Sequence, residues 1–131
     1  MISVEKYDAE RHYETLLGWW LSHGEVEEPR EILSPHGGVV SDDDGPILAC
    51  FAYLCSGCPV AFFDRMVGRP EATAASIREA GAVLQDYLRE LANGLGYNYL
   101  YLHAPHRALV REYEHQGWHR LMENTLMGMT I

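Results

Sequence analysis

Basic residues are scarce in this 131-residue chain, and lysine is almost absent. Lys6 is the one lysine, and 10 basic residues stand against 19 acidic ones, giving a formal net charge of −9 at pH 7. Proteins that grip nucleic-acid backbones need clustered Lys and Arg, so we expect no nucleic-acid partner. An acidic protein instead attracts cationic partners over long range, and amines are the obvious small ones.

Long apolar runs and a secretion signal are also missing. No stretch of about 18 consecutive apolar residues occurs, so we expect no membrane-spanning helix. Residues 1–11 lead directly into charged side chains, where a signal peptide would carry its apolar segment. The chain is therefore expected in the cytoplasm.

Cysteine is limited to Cys50, Cys55 and Cys58. An odd number of cysteines without an export signal argues against a disulfide framework and favours reduced thiols. Cys55 and Cys58 have the C-x-x-C spacing of a zinc knuckle, but a zinc ribbon pairs two knuckles and the sequence has one. A thioredoxin-like motif would open a helix, whereas this pair falls at a predicted turn between strands. We expect no metal, and a metal or thiol protein remains the third hypothesis.

The chain has the composition and patterning of one folded domain over residues 1–131. Its 131 residues are enough for one core but not for two, and a hydrophobic content of 47% is ordinary for a folded protein. The strand, helix and turn signals follow the order β α (α) β β β α β α β. This order predicts a mixed α/β (α+β) fold, in which six or seven strands form one largely antiparallel sheet with a parallel pair in its middle, flanked by three or four helices.

Local signals set several of these boundaries. Asp8 stands at a helix N-cap position, and Gly24 is suited to end that helix. Asp44 followed by Gly45 predicts a hairpin turn between two strands. Residues 2–6 and 123–131 read as the first and last strands. In the first helix, Trp19 lies off the apolar stripe and is a candidate for an interface or the edge of a pocket.

The strongest pattern spans residues 60–118. An apolar run is followed by a long amphipathic helix, a short strand and a second helix. The apolar residues of the long helix recur at steps of three and four and share one face: Ile77, Ala80, Gly81, Leu84, Leu88, Leu91, Ala92 and Leu95. A crossover of this length lets the two strands run parallel. The helix then begins beside the end of the first strand, where its unpaired N–H groups suit a phosphate.

The second helix of this stretch carries a motif. Tyr113, Gly117 and Trp118 match the spacing of N-x-x-A-x-x-x-Y-x-x-x-G-F, which closes the second core helix in the GNAT superfamily of N-acyltransferases. His106 stands where Asn is usual and Leu109 where Ala is usual. By this motif and its element order, the chain resembles GNAT proteins, most of all the short members carried by bacteriophages. The resemblance implies a GNAT-like fold, and a host cytoplasm if the chain is phage-encoded.

The loop before the long helix departs from the family pattern. GNAT proteins usually carry Q/R-x-x-G-x-G/A there, so that glycines let the backbone approach the pyrophosphate of coenzyme A. Here Ala74, Ala75 and Ser76 stand at the turn. The resemblance assigns these three residues and His106 to cofactor binding.

The resemblance also implies a reaction, the transfer of acetyl from acetyl-CoA to an amine of a small molecule or a protein. The backbone of Arg65, Met66 and Val67 would hold the pantetheine arm and stabilise the oxyanion. Tyr113 would protonate the departing thiolate as general acid, and Asp64 would be the acidic group near the amine. Tyr113 could equally be an ordinary surface residue of a helix, and Asp64 a surface carboxylate paired with Arg65.

The acceptor side and the partners stay open. The family builds part of its acceptor pocket where this chain carries four glutamates, Glu25, Glu27, Glu28 and Glu31. They would attract a polyamine or a lysine side chain, or they form a solvated loop. The missing loop glycines favour a second hypothesis, a GNAT-fold protein without catalysis that binds or inhibits a protein partner. Many GNAT proteins pair through exposed strand edges, so a homodimer is also considered.

Overall fold

The structure, a computed structural model, describes residues 1–103, 107–122 and 127–130, with the side chains of residues 107–109 excepted. The strands are β1 (Ser3–Lys6), β2 (Gly37–Asp42), β3 (Gly45–Leu54), β4 (Val60–Gly68) and β5 (Tyr99–Leu102). The helices are α1 (Ala9–Ser22), α2 (Ala74–Gly94) and α3 (Arg107–His115), and a 3₁₀ turn spans Arg30–Ile32. Within these described ranges, no helix is both long enough and apolar enough to cross a membrane.

The five strands form one mixed sheet in the order β1-β2-β3-β4-β5. The first four pair antiparallel, while β5 runs parallel to β4 across the α2 crossover. The prediction of six or seven strands is therefore wrong for the described residues. Residues 118–122 and 127–130 form no strand, and residues 123–126 of the predicted last strand lie outside the described residues, as does Ile131. The parallel pair lies at one edge of these five strands, not in the middle.

Local capping signals fix the first helix and the first hairpin as predicted. The Asp8 side chain accepts a hydrogen bond from the Glu10 N–H at 3.0 Å, and Gly24 follows the helix at a φ of 71°. The β2–β3 turn is closed by Asp42, whose carboxylate accepts from the Asp44 N–H at 2.8 Å. Gly45 takes a φ of 116°, a backbone conformation that L residues rarely adopt.

The α2 helix covers one face of the sheet. Its buried face carries Ala80, Leu84, Leu88 and Ala92, which pack against side chains of β3 and β4. The apolar stripe was predicted to continue to Leu95, but that side chain is 49% exposed because the helix ends at Gly94. Burial of this stripe is the main reason that α2 is a stable helix in this position.

The α1 helix covers the opposite face of the sheet. Leu16 and Trp20 pack against Phe51 and Val39 of the central strands. Trp19 belongs to the same cluster and is 7% exposed, so its predicted place at an interface or a pocket edge is wrong. Leu33, from the segment after α1, belongs to the same cluster, and the Tyr13 hydroxyl donates to the Glu28 carbonyl of that segment at 2.7 Å, so the segment packs against the helix.

A β-bulge interrupts the pairing of β3 with β4. Phe51 faces Asp64 and Ala49 faces Val67, so two steps along β3 correspond to three along β4. Within the extra length Arg65 has a φ of 60°, and it is the one non-glycine residue with positive φ in the described chain. This conformation costs roughly 1–2 kcal/mol for an L residue.

The end of α3 matches the predicted motif. Gly117 has a φ of 94°, and the Trp118 N–H donates back to the Tyr113 carbonyl at 3.0 Å. The Trp118 ring lies edge-on to Phe63 of β4, with 5.8 Å between ring centroids. This contact attaches the end of α3 to the sheet beside β5.

Candidate functional site

The parallel strands β4 and β5 separate where β5 ends. Their pairing runs from Val60 with Tyr99 to Phe63 with Leu102, and β4 continues to Gly68. On the β5 side, the last part of β4 therefore has no strand partner among residues 1–103, 107–122 and 127–130. Exposed N–H and C=O groups of this kind can pair with an extended ligand, as in strand addition. The bulge at Arg65 lies in this stretch.

A slot of about 190 Å³ opens beside the unpaired part of β4. Its walls come from four elements: Leu48 of β3, Met66 of β4, the first half of α2 and the end of α3. The α2 residues in the wall are Ala74, Ile77, Arg78, Gly81, Leu84 and Gln85, and Glu112, Tyr113 and Gln116 complete it. The volume is below that of pockets for whole drug-sized ligands, so the slot suits a narrow chain.

Tyr113 points into this slot. It is 8% exposed, and its hydroxyl donates to Met66 Sδ at 3.2 Å. Burial raises the pKa of Tyr113 well above its ordinary value, and the nearby Cys50 adds to the shift. With this raised pKa the hydroxyl stays protonated. Because a thioether is only a weak hydrogen-bond acceptor, the hydroxyl can turn to a stronger acceptor in the slot. Of its two predicted interpretations, an ordinary surface position does not fit this burial.

Asp64 lies on the other face of β4. Its carboxylate accepts from the Arg65 N–H at 2.8 Å and from the Arg65 guanidinium at 3.0 Å. Arg65 Nε also lies 3.2 Å from a Glu28 carboxylate oxygen, an ion pair that lacks the angle of a hydrogen bond. Two carboxylates therefore surround one guanidinium on the α1 side of the sheet. The ion pair weighed for Asp64 from the sequence is present, and it involves Glu28 as well.

Of the remaining residues predicted to contact the cofactor, only some lie at the slot. Val67 sends its side chain into the α1-side core, where it is 4% exposed, so only its backbone can face a ligand. Ala74 contributes to the slot wall, whereas Ala75 and Ser76, both described, do not. His106 lies outside the described residues. Among the four loop glutamates, Glu28 alone is partly buried.

The first turn of α2 is capped from within the chain. The Thr73 hydroxyl accepts from the Ser76 N–H at 3.1 Å and also contacts the Ser76 hydroxyl at 3.0 Å. One of the N–H groups predicted to receive a phosphate is thus already satisfied. Arg78, in the next turn, is joined to Glu112 of α3 by an ion pair of 3.0 Å across the slot.

Two residues of the slot were not predicted. The Gln85 and Gln116 carboxamide oxygens are both buried, and neither has a hydrogen-bond partner in the described structure. Gln85 is only 2% exposed. The sequence contained a signal for it, because this polar residue directly follows Leu84 within the apolar face of α2. Gln116 gave no such signal, because polar residues are common near a helix end.

A wider and more open cleft of about 590 Å³ lies along the opposite edge strand, β1. Several of its charged groups pair with a neighbour: Arg11 forms two hydrogen bonds with Glu5, and the buried His12 also contacts that carboxylate at 3.0 Å. The cleft also contains one buried hydroxyl without a partner in the described structure, that of Tyr7. We place the candidate site at the smaller slot, because it lies beside the end of β4 that has no strand partner in the described structure. The described residues contain no cluster of three or more His, Cys, Asp or Glu side chains arranged to hold a metal.

Comparisons with known proteins identify the fold. No protein-family model matches the sequence, and no curated protein matches it. An aminoglycoside acetyltransferase from an uncultured soil metagenomic sample matches with a TM-score of 0.74 and 14% identity, over 99% of each chain. A probable acetyltransferase from meticillin-resistant Staphylococcus aureus has a TM-score of 0.69 and 15% identity, over 100% of this chain and 98% of that one.

A third similar structure contains ligands. The N-acetylglutamate synthase from Neisseria gonorrhoeae, complexed with coenzyme A and N-acetyl-glutamate, has a TM-score of 0.65 and 14% identity. The match covers 87% of this chain and 28% of that one, so this chain spans less than a third of that protein's length. These similarities extend over nearly the whole chain with low identity. The chain therefore has the fold of the GNAT acetyltransferases.

Proposed function

We propose that this protein transfers acetyl from acetyl-CoA to an amine. The observation that carries the proposal is the separation of β4 from β5 after Phe63, which leaves unpaired backbone beside a slot that holds a buried, protonated tyrosine. The same arrangement would receive a thin thioester-bearing arm and present a proton donor to it. Acetyl-CoA supplies the activated acetyl group. The residues of the chain supply the donor to the oxyanion, the general acid and the carboxylate beside the amine.

The unpaired backbone of β4 positions the acyl group. The residues present fit the arm, because Met66 and Leu48 offer apolar walls and the backbone of residues 65–67 offers hydrogen-bonding groups. A backbone N–H in this stretch donates to the carbonyl oxygen of the thioester and stabilises the negative charge that develops as the amine attacks. The bulge at Arg65 matters here because it turns backbone groups out of the ladder with β3.

Tyr113 acts as the general acid. Its hydroxyl lies in the slot wall and is held protonated by burial, so it can deliver a proton to the sulfur that leaves. The hydroxyl donates to Met66 Sδ, a weak acceptor that a thiolate easily replaces.

The α1 side of β4 receives the amine. Glu28 and Asp64 bring two negative charges against the single positive charge of Arg65, which leaves one net negative charge beside the open end of the strand. That field favours an ammonium ion. Asp64 then accepts a proton from the amine, directly or through water, before the attack. The acceptor is accordingly a cationic small molecule or a basic protein side chain.

A binding protein without catalysis is the second candidate, and one observation favours it. The first turn of α2 has alanines where glycines would admit a pyrophosphate, and Thr73 already caps the Ser76 N–H. A phosphate would have to rely on the Ala74 and Ala75 N–H groups. In this case the acidic α1 side would bind a basic partner without any reaction.

Thermal unfolding with and without ligand separates the two candidates. Acetyl-CoA at 100 times its dissociation constant should stabilise the protein by about 2.7 kcal/mol, and CoA should have a similar effect. Release of free thiol in the presence of a panel of amines then tests turnover. An unchanged melting temperature at millimolar acetyl-CoA would refute the acetyltransferase and leave the binding protein.

A further inference from the structure

Two amide oxygens, on residues that line the slot, have no hydrogen-bond partner among the described residues. Gln85 Oε1 of α2 and Gln116 Oε1 after α3 are each shielded from solvent and form no hydrogen bond in the described structure. Gln85 is 2% exposed and lies among side chains of the α2-side core, next to Leu84 and one turn from Leu88. Buried polar groups are nearly always paired, and an orphan costs about 1–3 kcal/mol. Two such oxygens on residues that line one slot are candidate acceptors for a ligand bound there.

The position of the two amides limits the ligand. Both residues line the same slot as Tyr113, Gln85 from α2 and Gln116 from the turn that follows α3. Each orphaned atom is an acceptor, so the ligand must bring N–H or O–H donors at two points. Leu48, Met66 and Ile77 give the slot apolar walls, and its two charged residues, Arg78 and Glu112, neutralise each other in an ion pair, so a ligand without charge between these donors fits best.

We propose that Gln85 and Gln116 accept hydrogen bonds from the amide N–H groups of the pantetheine arm, and that they determine the selectivity of the slot for it. The inference rests on the proposed function. A pantetheine arm is narrow and uncharged and carries two secondary amides and one hydroxyl, which matches a slot with apolar walls and two separate acceptors. These side chains give the arm two anchors in addition to the β4 backbone.

This assignment also accounts for binding despite the altered loop. The α2 N-terminus offers a phosphate fewer free N–H groups, because Thr73 occupies that of Ser76. Anchoring of the arm in the slot shifts the binding free energy from the phosphates toward the amides. The affinity of CoA for this protein should then depend more on the arm than on the nucleotide.

Calorimetric titration of three probes tests the inference. The probes are CoA, pantetheine, and adenosine 3′,5′-bisphosphate, which lacks the arm. Gln85→Leu and Gln116→Leu should each weaken CoA and pantetheine by about five-fold, in the range of one neutral hydrogen bond, and leave adenosine 3′,5′-bisphosphate unchanged. Tyr87→Phe, on α2 but against Gly38 and away from the slot, is the matched control and should change none of them.

Unfolding in urea without ligand gives the second readout. Because Gln85 Oε1 is an orphan, Gln85→Leu should raise the urea midpoint of the free protein while it weakens CoA. A purely structural glutamine, paired with a buried water, would lower that midpoint and leave CoA binding unchanged, and this result would overturn the assignment. If the unaltered protein binds CoA and both leucine variants bind it equally well, the assignment of the two glutamines is wrong and the proposed function stands. If the unaltered protein binds no CoA, the proposed function fails with it.

Discussion

The Tyr113 hydroxyl donates to Met66 Sδ across 3.2 Å, joining α3 to the open end of β4. The two residues are 47 positions apart in the chain. Asp64, two residues before Met66, points to the opposite face of the same strand. A thioester carbonyl held at the end of β4 would therefore have a proton donor on the α2 side and a carboxylate on the α1 side.

Replacement of Tyr113 by phenylalanine tests the proton donor. Tyr113→Phe removes the hydroxyl and keeps the ring against Trp118, so acetyl-CoA affinity should stay nearly constant. Turnover should fall by roughly 10²-fold, the lower end of what general acid catalysis contributes. Steady-state kinetics with a saturating amine provides the measurement, and Tyr99→Phe, at an exposed tyrosine of β5, is the control. Equal turnover of both variants would exclude Tyr113 as the acid.

The positive φ of Arg65 predicts an unusual order of stability at a strand position. Arg65→Gly and Arg65→Val both lose the contacts with Asp64 and Glu28, so their difference reports the backbone alone. Glycine adopts a φ of 60° freely, whereas a β-branched residue does not, so the valine variant should be less stable by about 1–2 kcal/mol. Urea unfolding measures both. At Ser3, an exposed position of β1, Ser3→Val should be more stable than Ser3→Gly, the usual order of stability in a strand.

Two glycines predict opposite effects of the same substitution. A Cβ on Gly37 would lie 2.5 Å from a Phe51 ring carbon and 2.9 Å from Tyr7 Cβ, so Gly37→Ala should cost roughly 1–3 kcal/mol. Gly18 lies in α1, and a Cβ there would meet nothing within 4 Å. Gly18→Ala should therefore add about 0.5–1 kcal/mol through helix propensity. Thermal melts of the two variants would contradict the described packing if both shifted in the same direction.

Cys50 predicts a loss of stability at alkaline pH. Burial raises the pKa of the Cys50 thiol from 9.0 to about 12 in the folded protein. Above pH 9 the unfolded chain releases this proton while the folded chain keeps it, so the unfolded state binds fewer protons and stability falls as the pH rises. One thiol contributes about 1 kcal/mol of loss between pH 9 and pH 10.

Cys50→Ala should remove that part of the pH dependence, even if the smaller side chain lowers the overall stability. Urea unfolding at pH 8, 9 and 10 measures it, and Cys58→Ala, at an exposed thiol, controls for the loss of a cysteine. The same slope in all three proteins would show that Cys50 ionises equally in both states.

The local features of this fold could be predicted because short-range signals determine them. The Asp8 cap, the turn before Gly45 and the glycine that closes α3 each depend on a few neighbouring residues. The apolar face of α2 followed from its period, and its end was placed one residue too far, at Leu95, because periodicity does not mark where a helix stops. Trp19 was misplaced because it is buried in a cluster that includes residues far from α1 in the sequence, such as Phe51 and Val67.

The site could be predicted only in part, since it is built from long-range contacts. Tyr113 and Met66 were both named, but nothing local places one on the other. The bulge at Arg65 has no glycine to announce it, and the ion pair of Arg65 with Glu28 joins two segments far apart in sequence. The unpaired amide of Gln85 depends on the walls that surround it, and these become known only from the folded structure.

The extra residue in β4 also determines which sequence positions of the strand face α1 and which face α2. Before it, odd positions such as Ala61 and Phe63 face α2, and after it even positions such as Met66 do. A strand with a deletion of Arg65 would regain strict alternation and still send Met66 toward Tyr113 and Val67 toward α1. The deletion would keep the same side chains in both cores, but it would remove the Arg65 contacts with Asp64 and Glu28 and straighten the strand edge beside the slot. The one-residue insertion therefore shapes the site without changing which side chains of β4 enter each core.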